Sequence, residues 1–121
     1  MEGERVYDLE QRLLKYSALI IGFTDAMPST RAGNHIAQQV LRCGTSPLAN
    51  HAEAQAAESP DDFIHKMRIC LKELREARRW LLLAQCALFA RSPAKVQPLI
   101  EETEELIKIF VKSIKTAQTR R

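Results

Sequence analysis

Apolar residues recur every three or four positions along almost the whole chain and nowhere alternate with the period of a strand. Leu9, Leu13, Tyr16, Ile20, Phe23 and Met27 advance in steps of four and three, which predicts a first helix over about 8–27. Asp8 stands where an N-cap or first-turn acid is favoured. Met27-Pro28 ends the run, because a residue before proline is pushed out of the helical region. A second helix over about 30–57 starts at Ser29 or Thr30 and carries Ile36, Val40, Cys43 and Leu48 on its apolar line. Gly44-Thr45-Ser46-Pro47 interrupts it. Pro47 lacks a donor and crowds the carbonyl of Cys43, while the alanine-rich stretch beyond has strong helix propensity. The pattern therefore predicts one long helix kinked near Gly44–Pro47.

Ser59-Pro60-Asp61-Asp62 is the clearest start signal: a capping serine, proline at the first helical position, then two acids. The third helix, about 60–87, has the seam Phe63, Met67, Cys70, Leu74, Ala77, Leu81, Ala84 and Leu88. Arg91-Ser92-Pro93 makes the next turn. A fourth helix, about 94–117, aligns Val96, Leu99, Thr103, Leu106 and Phe110, with Ile100, Ile107 and Ile114 beside them, and Gln118 to Arg121 are expected to fray. Short connections between amphipathic helices predict an all-α, antiparallel up-down four-helix bundle forming a single domain over 1–121. Helix 3 also bears a second apolar line, Ile64, Leu71 and Leu82. It fits either a wide core-facing stripe or a surface for self-association.

Composition narrows the class. The chain has 121 residues, 45% of them apolar but only 6% aromatic, so the core rests on aliphatic side chains. No apolar run is long enough to cross a bilayer, and no secretory segment follows the charged first residues, so a cytoplasmic protein without membrane association is expected. Cys43, Cys70 and Cys86 are odd in number and lack metal-type spacing, which fits reduced, buried thiols. A di-iron bundle would need a Glu-x-x-His on two helices, whereas only Asp62-x-x-His65 approaches that pattern. No nucleophile motif or glycine-rich phosphate loop is present. We expect no catalytic residues, no metal, no cofactor and no enzyme.

Charge is more informative. The 18 basic and 15 acidic side chains give a net +3, and the excess of bases lies in the second half. At 100° per residue Arg68, Lys72, Arg75 and Arg79 fall on one line of helix 3, nearly opposite its seam, with His65 beside them. Lys108, Lys112 and Lys115 add charge on helix 4. Such a row suits the phosphates of RNA or DNA. It also suits ion pairing, since Arg75, Arg78 and Arg79 lie level with Glu101, Glu102, Glu104 and Glu105 in an antiparallel pair, and Asp61 and Asp62 with the basic end of helix 4.

Two stretches resemble a known family. Gln39, Arg42, Ser46, Asn50, Ala52 and Glu53 in helix 2, and Phe63, Glu73, Glu76, Trp80 and Leu81 in helix 3, match in spacing the small bacterial four-helix-bundle proteins encoded in intervening sequences of 23S ribosomal RNA genes. The accessory variability determinant proteins of diversity-generating retroelements are similar. The chain departs from the pattern at Pro47, where Ile or Val is usual, at His51, where an aliphatic residue is usual, and at Ala54, where the family has Gly. The resemblance implies a homopentamer without established enzymatic activity. Its retroelement relatives use a basic surface to engage nucleic acid and a reverse transcriptase. Within this motif Asn50 reads as a buried amide satisfying the carbonyl freed by Pro47, and Glu53 as the partner of a base on another helix or protomer. The expected function is nucleic-acid binding by an oligomer. The alternative is a protein-interaction scaffold whose charged face pairs with protein acids.

Overall fold

In a computed structural model, which describes the backbone of 2–87 and 93–120 and the side chains of 8–87 and 95–120, the chain forms α1 (Glu2–Asp25), α2 (Arg31–Gln55), α3 (Pro60–Cys86) and α4 (Pro93–Arg120). Leu88 and the turn at Arg91-Ser92 lie outside the described residues, as does Arg121. Chain neighbours pack side by side, α1 on α2, α2 on α3 and α3 on α4, and a lighter α1–α4 contact closes the square. The bundle is up-down and antiparallel.

Local chemistry sets the boundaries. Thr30 caps α2 by accepting the Gly33 amide at 3.0 Å, and Ser59 caps α3 by accepting the Asp62 amide at 3.0 Å. Gly33 is obligatory at this turn, because a Cβ there would lie 2.2 Å from the Pro28 carbonyl oxygen. Asp8 is not the cap expected of it. It sits inside α1, which starts at Glu2, six residues before it. The C-terminus does not fray where expected either. Helix α4 continues to Arg120, and Thr119 donates to the Thr116 carbonyl at 2.8 Å.

Helix α2 passes Pro47 as one helix. The Asn50 amide donates to the Ser46 carbonyl at 3.1 Å rather than to the Cys43 carbonyl that Pro47 frees, and it is only half-buried. Cys43 is seven residues back, about 10 Å along the axis, beyond the reach of an Asn side chain, whereas the i−4 carbonyl lies directly beneath it. Gly44 lets α1 and α2 approach: a Cβ there would lie 2.9 Å from three Ile20 carbons.

The expected seams make the core. Leu13, Tyr16 and Ile20 of α1, Val40 and Cys43 of α2, Met67, Cys70, Leu74, Ala77, Leu81 and Ala84 of α3, and Leu99, Thr103, Leu106 and Phe110 of α4 are buried. Thr103 donates its one hydroxyl hydrogen to the Leu99 carbonyl at 2.7 Å, so the Tyr16 hydroxyl is the donor in the 2.7 Å Tyr16–Thr103 bond. Ile64 and Leu71 are buried and Leu82 half-buried, which makes the second line of α3 part of a wide core stripe. Exposed apolar side chains are densest on α1, where Leu14, Leu19 and Ile21 are 47–59% exposed, with Leu41 of α2 and Leu83 of α3 exposed singly. Cys86 is exposed, contrary to the expected burial, because it falls on the outward side of α3 beyond Leu83.

Candidate nucleic-acid interface

The cations of α3 divide into two kinds. Arg68, Lys72, Arg75 and Arg79 are exposed along about 16 Å of the outer face, the length of eleven residues at 1.5 Å each. Among the described residues none of the four has a carboxylate within 4 Å. Arg78, one residue away from Arg79, behaves differently: its Nε donates to Glu104 at 2.8 Å. The 100° step between neighbours turns Arg78 toward α4 and leaves Arg79 facing outward. Other acids of α4 are engaged elsewhere, Glu102 by the paired nitrogens of Arg12 at 2.8 and 2.9 Å and Glu105 by Lys108 at 3.3 Å. The ion pairing expected of Arg75 and Arg79 with α4 is therefore absent among the described residues. Asp62 accepts the Glu58 amide at 3.3 Å, and His65 is exposed beside the row.

Lys108, Lys112 and Lys115 are all exposed. The register set by Arg78–Glu104 places Lys108 level with Arg75 and Lys115 level with Arg68. Lys112 instead reaches the mouth of a cleft between α4 and α1. The predicted set is thus one continuous row on α3 with two lysines of α4 alongside, and a third set apart.

The motif residues gather on the opposite flank of α3, against α2. Arg42 is the hub: it meets Glu73 at 3.0 Å and also Glu76, and it donates to the Gln39 side-chain carbonyl at 3.3 Å. Ser46 donates to Glu73 at 3.3 Å, and the Trp80 indole donates to Glu76 at 3.2 Å. His35 lies edge-on to Trp80 with ring centroids 5.7 Å apart. Lys66 reaches Glu53 at 3.7 Å, which makes Glu53 the partner of a base on a neighbouring helix. Two carboxylates around one guanidinium leave this cluster negative, so it joins helices and repels phosphate. Arg42, His35 and Gln39 were not singled out from sequence as site residues. The 39-42-46 spacing on one face of α2 was the available signal.

Neither buried thiol is a nucleophile. Burial pushes Cys43 up to about 12 and Cys70 likewise to about 12, so both stay protonated at neutral pH. Among the described residues no helix is long and apolar enough to cross a membrane.

Comparison with known proteins agrees with this architecture. The crystal structure of a protein of unknown function from the S23 ribosomal protein family of Bacteroides thetaiotaomicron superposes with a TM-score of 0.84 at 27% identity, covering 91% of this chain and 97% of that one. The search of curated proteins found no match. The model describing the 23S rRNA-intervening sequence proteins matches residues 6–112. With that match spanning most of the bundle, the chain belongs to the 23S rRNA-intervening sequence protein family.

Proposed function

We propose that this protein is a non-enzymatic cytoplasmic oligomer that binds RNA or DNA through the outer face of α3. The observation that carries the reading is the row Arg68, Lys72, Arg75 and Arg79, four exposed cations without an acidic partner among the described residues, beside arginines that have one. Cations held apart from carboxylates remain available to displace the counterions of a phosphate backbone. The resemblance to ring-forming relatives supports a homopentamer, in which each short row repeats around an axis and gains avidity without new contacts. Four phosphate contacts in one engaged row give a slope of about −3.6 in log affinity against log salt, or roughly a hundredfold loss between about 50 and 200 mM. Binding of a labelled RNA duplex across that range tests this. An affinity indifferent to salt contradicts it.

A second reading, a protein-interaction scaffold, is favoured by the exposed Leu14, Leu19 and Ile21 of α1. A reverse transcriptase is the class of protein partner that the retroelement resemblance supports. Reversing the charge of Arg75 and Arg79 separates the two readings. The first expects loss of nucleic-acid binding with assembly intact. The second expects nucleic-acid binding to be absent from the start and assembly or partner capture to change.

A further inference from the structure

The seam between α1 and α4 changes character along its length. At the middle of α1 it is tied by Tyr16–Thr103 and by the two-pronged Arg12–Glu102 pair. Toward the start of α1 the facing side chains of α4 are short: Ser113, Thr116 and Ala117. Short side chains on one wall leave the helices apart, and a cleft of about 750 Å³ opens there. That volume lies within the range of small-molecule sites.

The walls are apolar, with Leu9 from α1, Phe63 and Met67 from α3, and Ile109 from α4. One polar ring is set among them. His51 is only 2% exposed, lies edge-on to Phe110 with centroids 6.2 Å apart, and has its Nε2 3.1 Å from the Gln55 amide nitrogen. A histidine of that burial bordering a cleft is unusual in a largely apolar core. Among the described residues the mouth carries Arg12, Lys112 and Asp8, and Arg120, which has a partner of its own, stands beside them. Glu102 answers the charge of Arg12, whereas Lys112 has no carboxylate within 4 Å among the described residues.

We propose that this cleft binds an amphipathic anion, a small molecule whose apolar body beds on Leu9, Phe63, Met67 and Ile109 and whose carboxylate or phosphate meets Lys112 at the mouth. Lys112, which has no carboxylate within 4 Å among the described residues, selects an anion. The apolar walls select against a bare inorganic ion, which would leave them empty. Among the described lining residues His51 is the one deeply buried polar side chain, and it orients the bound molecule. None of the four α3 cations lines the cleft, so the site is independent of the nucleic-acid reading.

Titration calorimetry of the whole protein with decanoate tests it, with 1-decanol as the uncharged counterpart. The expected result is saturable binding of one decanoate per protomer, with decanol about tenfold weaker or worse. Lys112→Glu, an exposed change that leaves packing untouched, weakens decanoate by a similar factor. Ala117→Leu adds three carbons to the α4 wall, narrows the cleft and weakens decanoate binding while the far-ultraviolet circular dichroism stays helical. Absence of saturable binding overturns the proposal. So does equal binding of decanoate and decanol, or decanoate binding that survives Lys112→Glu undiminished, which would place the molecule on the exposed leucines of α1.

Discussion

Helices α2 and α3 meet along a face crossed by Arg42–Glu73, Arg42–Glu76, Ser46–Glu73 and Lys66–Glu53, with Trp80 bracketed between Glu76 and His35. Among the described residues helices α1 and α4 are tied by one hydroxyl pair and one ion pair, and part beside short side chains into a cleft. Both pairs are antiparallel neighbours in the same bundle. The difference lies in what flanks the apolar seam. On α2 and α3 long polar side chains reach across on the solvent side, while on the lower half of α4 Ser113, Thr116 and Ala117 reach nowhere. One edge of the square is therefore closed and the other opens into a cleft, in a protein whose α3 also presents cations without a carboxylate partner among the described residues.

The largest effect should come from the closed side. Leu74 is fully buried, so Leu74→Ala removes packing from both its neighbours and costs about 2–5 kcal/mol, read as a fall in Tm of roughly 10 °C or more. An equal cost from a substitution at half-buried Leu9 would erase the contrast between the two edges. Tyr16→Phe, on the open side, deletes the donor to Thr103 but leaves the Thr103–Leu99 bond, and costs about 1 kcal/mol in denaturant unfolding. Arg42→Ala unties the hub of the closed face. Because that guanidinium is half in solvent, the loss is at most about 1 kcal/mol and shrinks at high salt, which unfolding at two ionic strengths measures.

The smallest effect at neutral pH comes from His51. Burial holds its imidazole below the ordinary value, with Glu10 pulling weakly the other way. The unfolded chain takes up this proton near pH 6.5, while the folded chain resists it. Stability is therefore complete above about pH 7 and falls as the pH drops below about 6.5 toward the folded value. His51→Leu should remove that part of the acid sensitivity, and a variant with the parent's pH profile would place the sensitivity elsewhere.

Local signals in the sequence carried furthest. Ser59-Pro60-Asp61-Asp62 states its helix start within four residues, and the seam of α3 obeys a 4-3 step from Met67 to Ala84 that only one face can satisfy. Thr30 was one of two caps left open and is the one used. What depended on distance between helices was not legible. The exposure of Cys86 turned on where α3 leaves the core, whereas the partner of Asn50 lies within α2 and follows from the rise per residue. The pairing of Arg78 but not Arg79 turned on which side of α3 faces α4, and four arginines at similar spacing look alike until that side is known. The cleft was invisible for the same reason: Ser113, Thr116 and Ala117 are unremarkable as a string and matter only where they oppose Leu9.

The claim on which the functional account rests is that the exposed cations of α3 hold phosphates, and the salt dependence of duplex RNA binding measured on the Arg75→Ala/Arg79→Ala double variant tests it most directly. Removing two of four contacts should cut the slope of log affinity against log salt by about 1.8, from about −3.6 to about −1.8, with the assembly mass unchanged. A double variant that keeps the parent's slope would show that these arginines touch no phosphate.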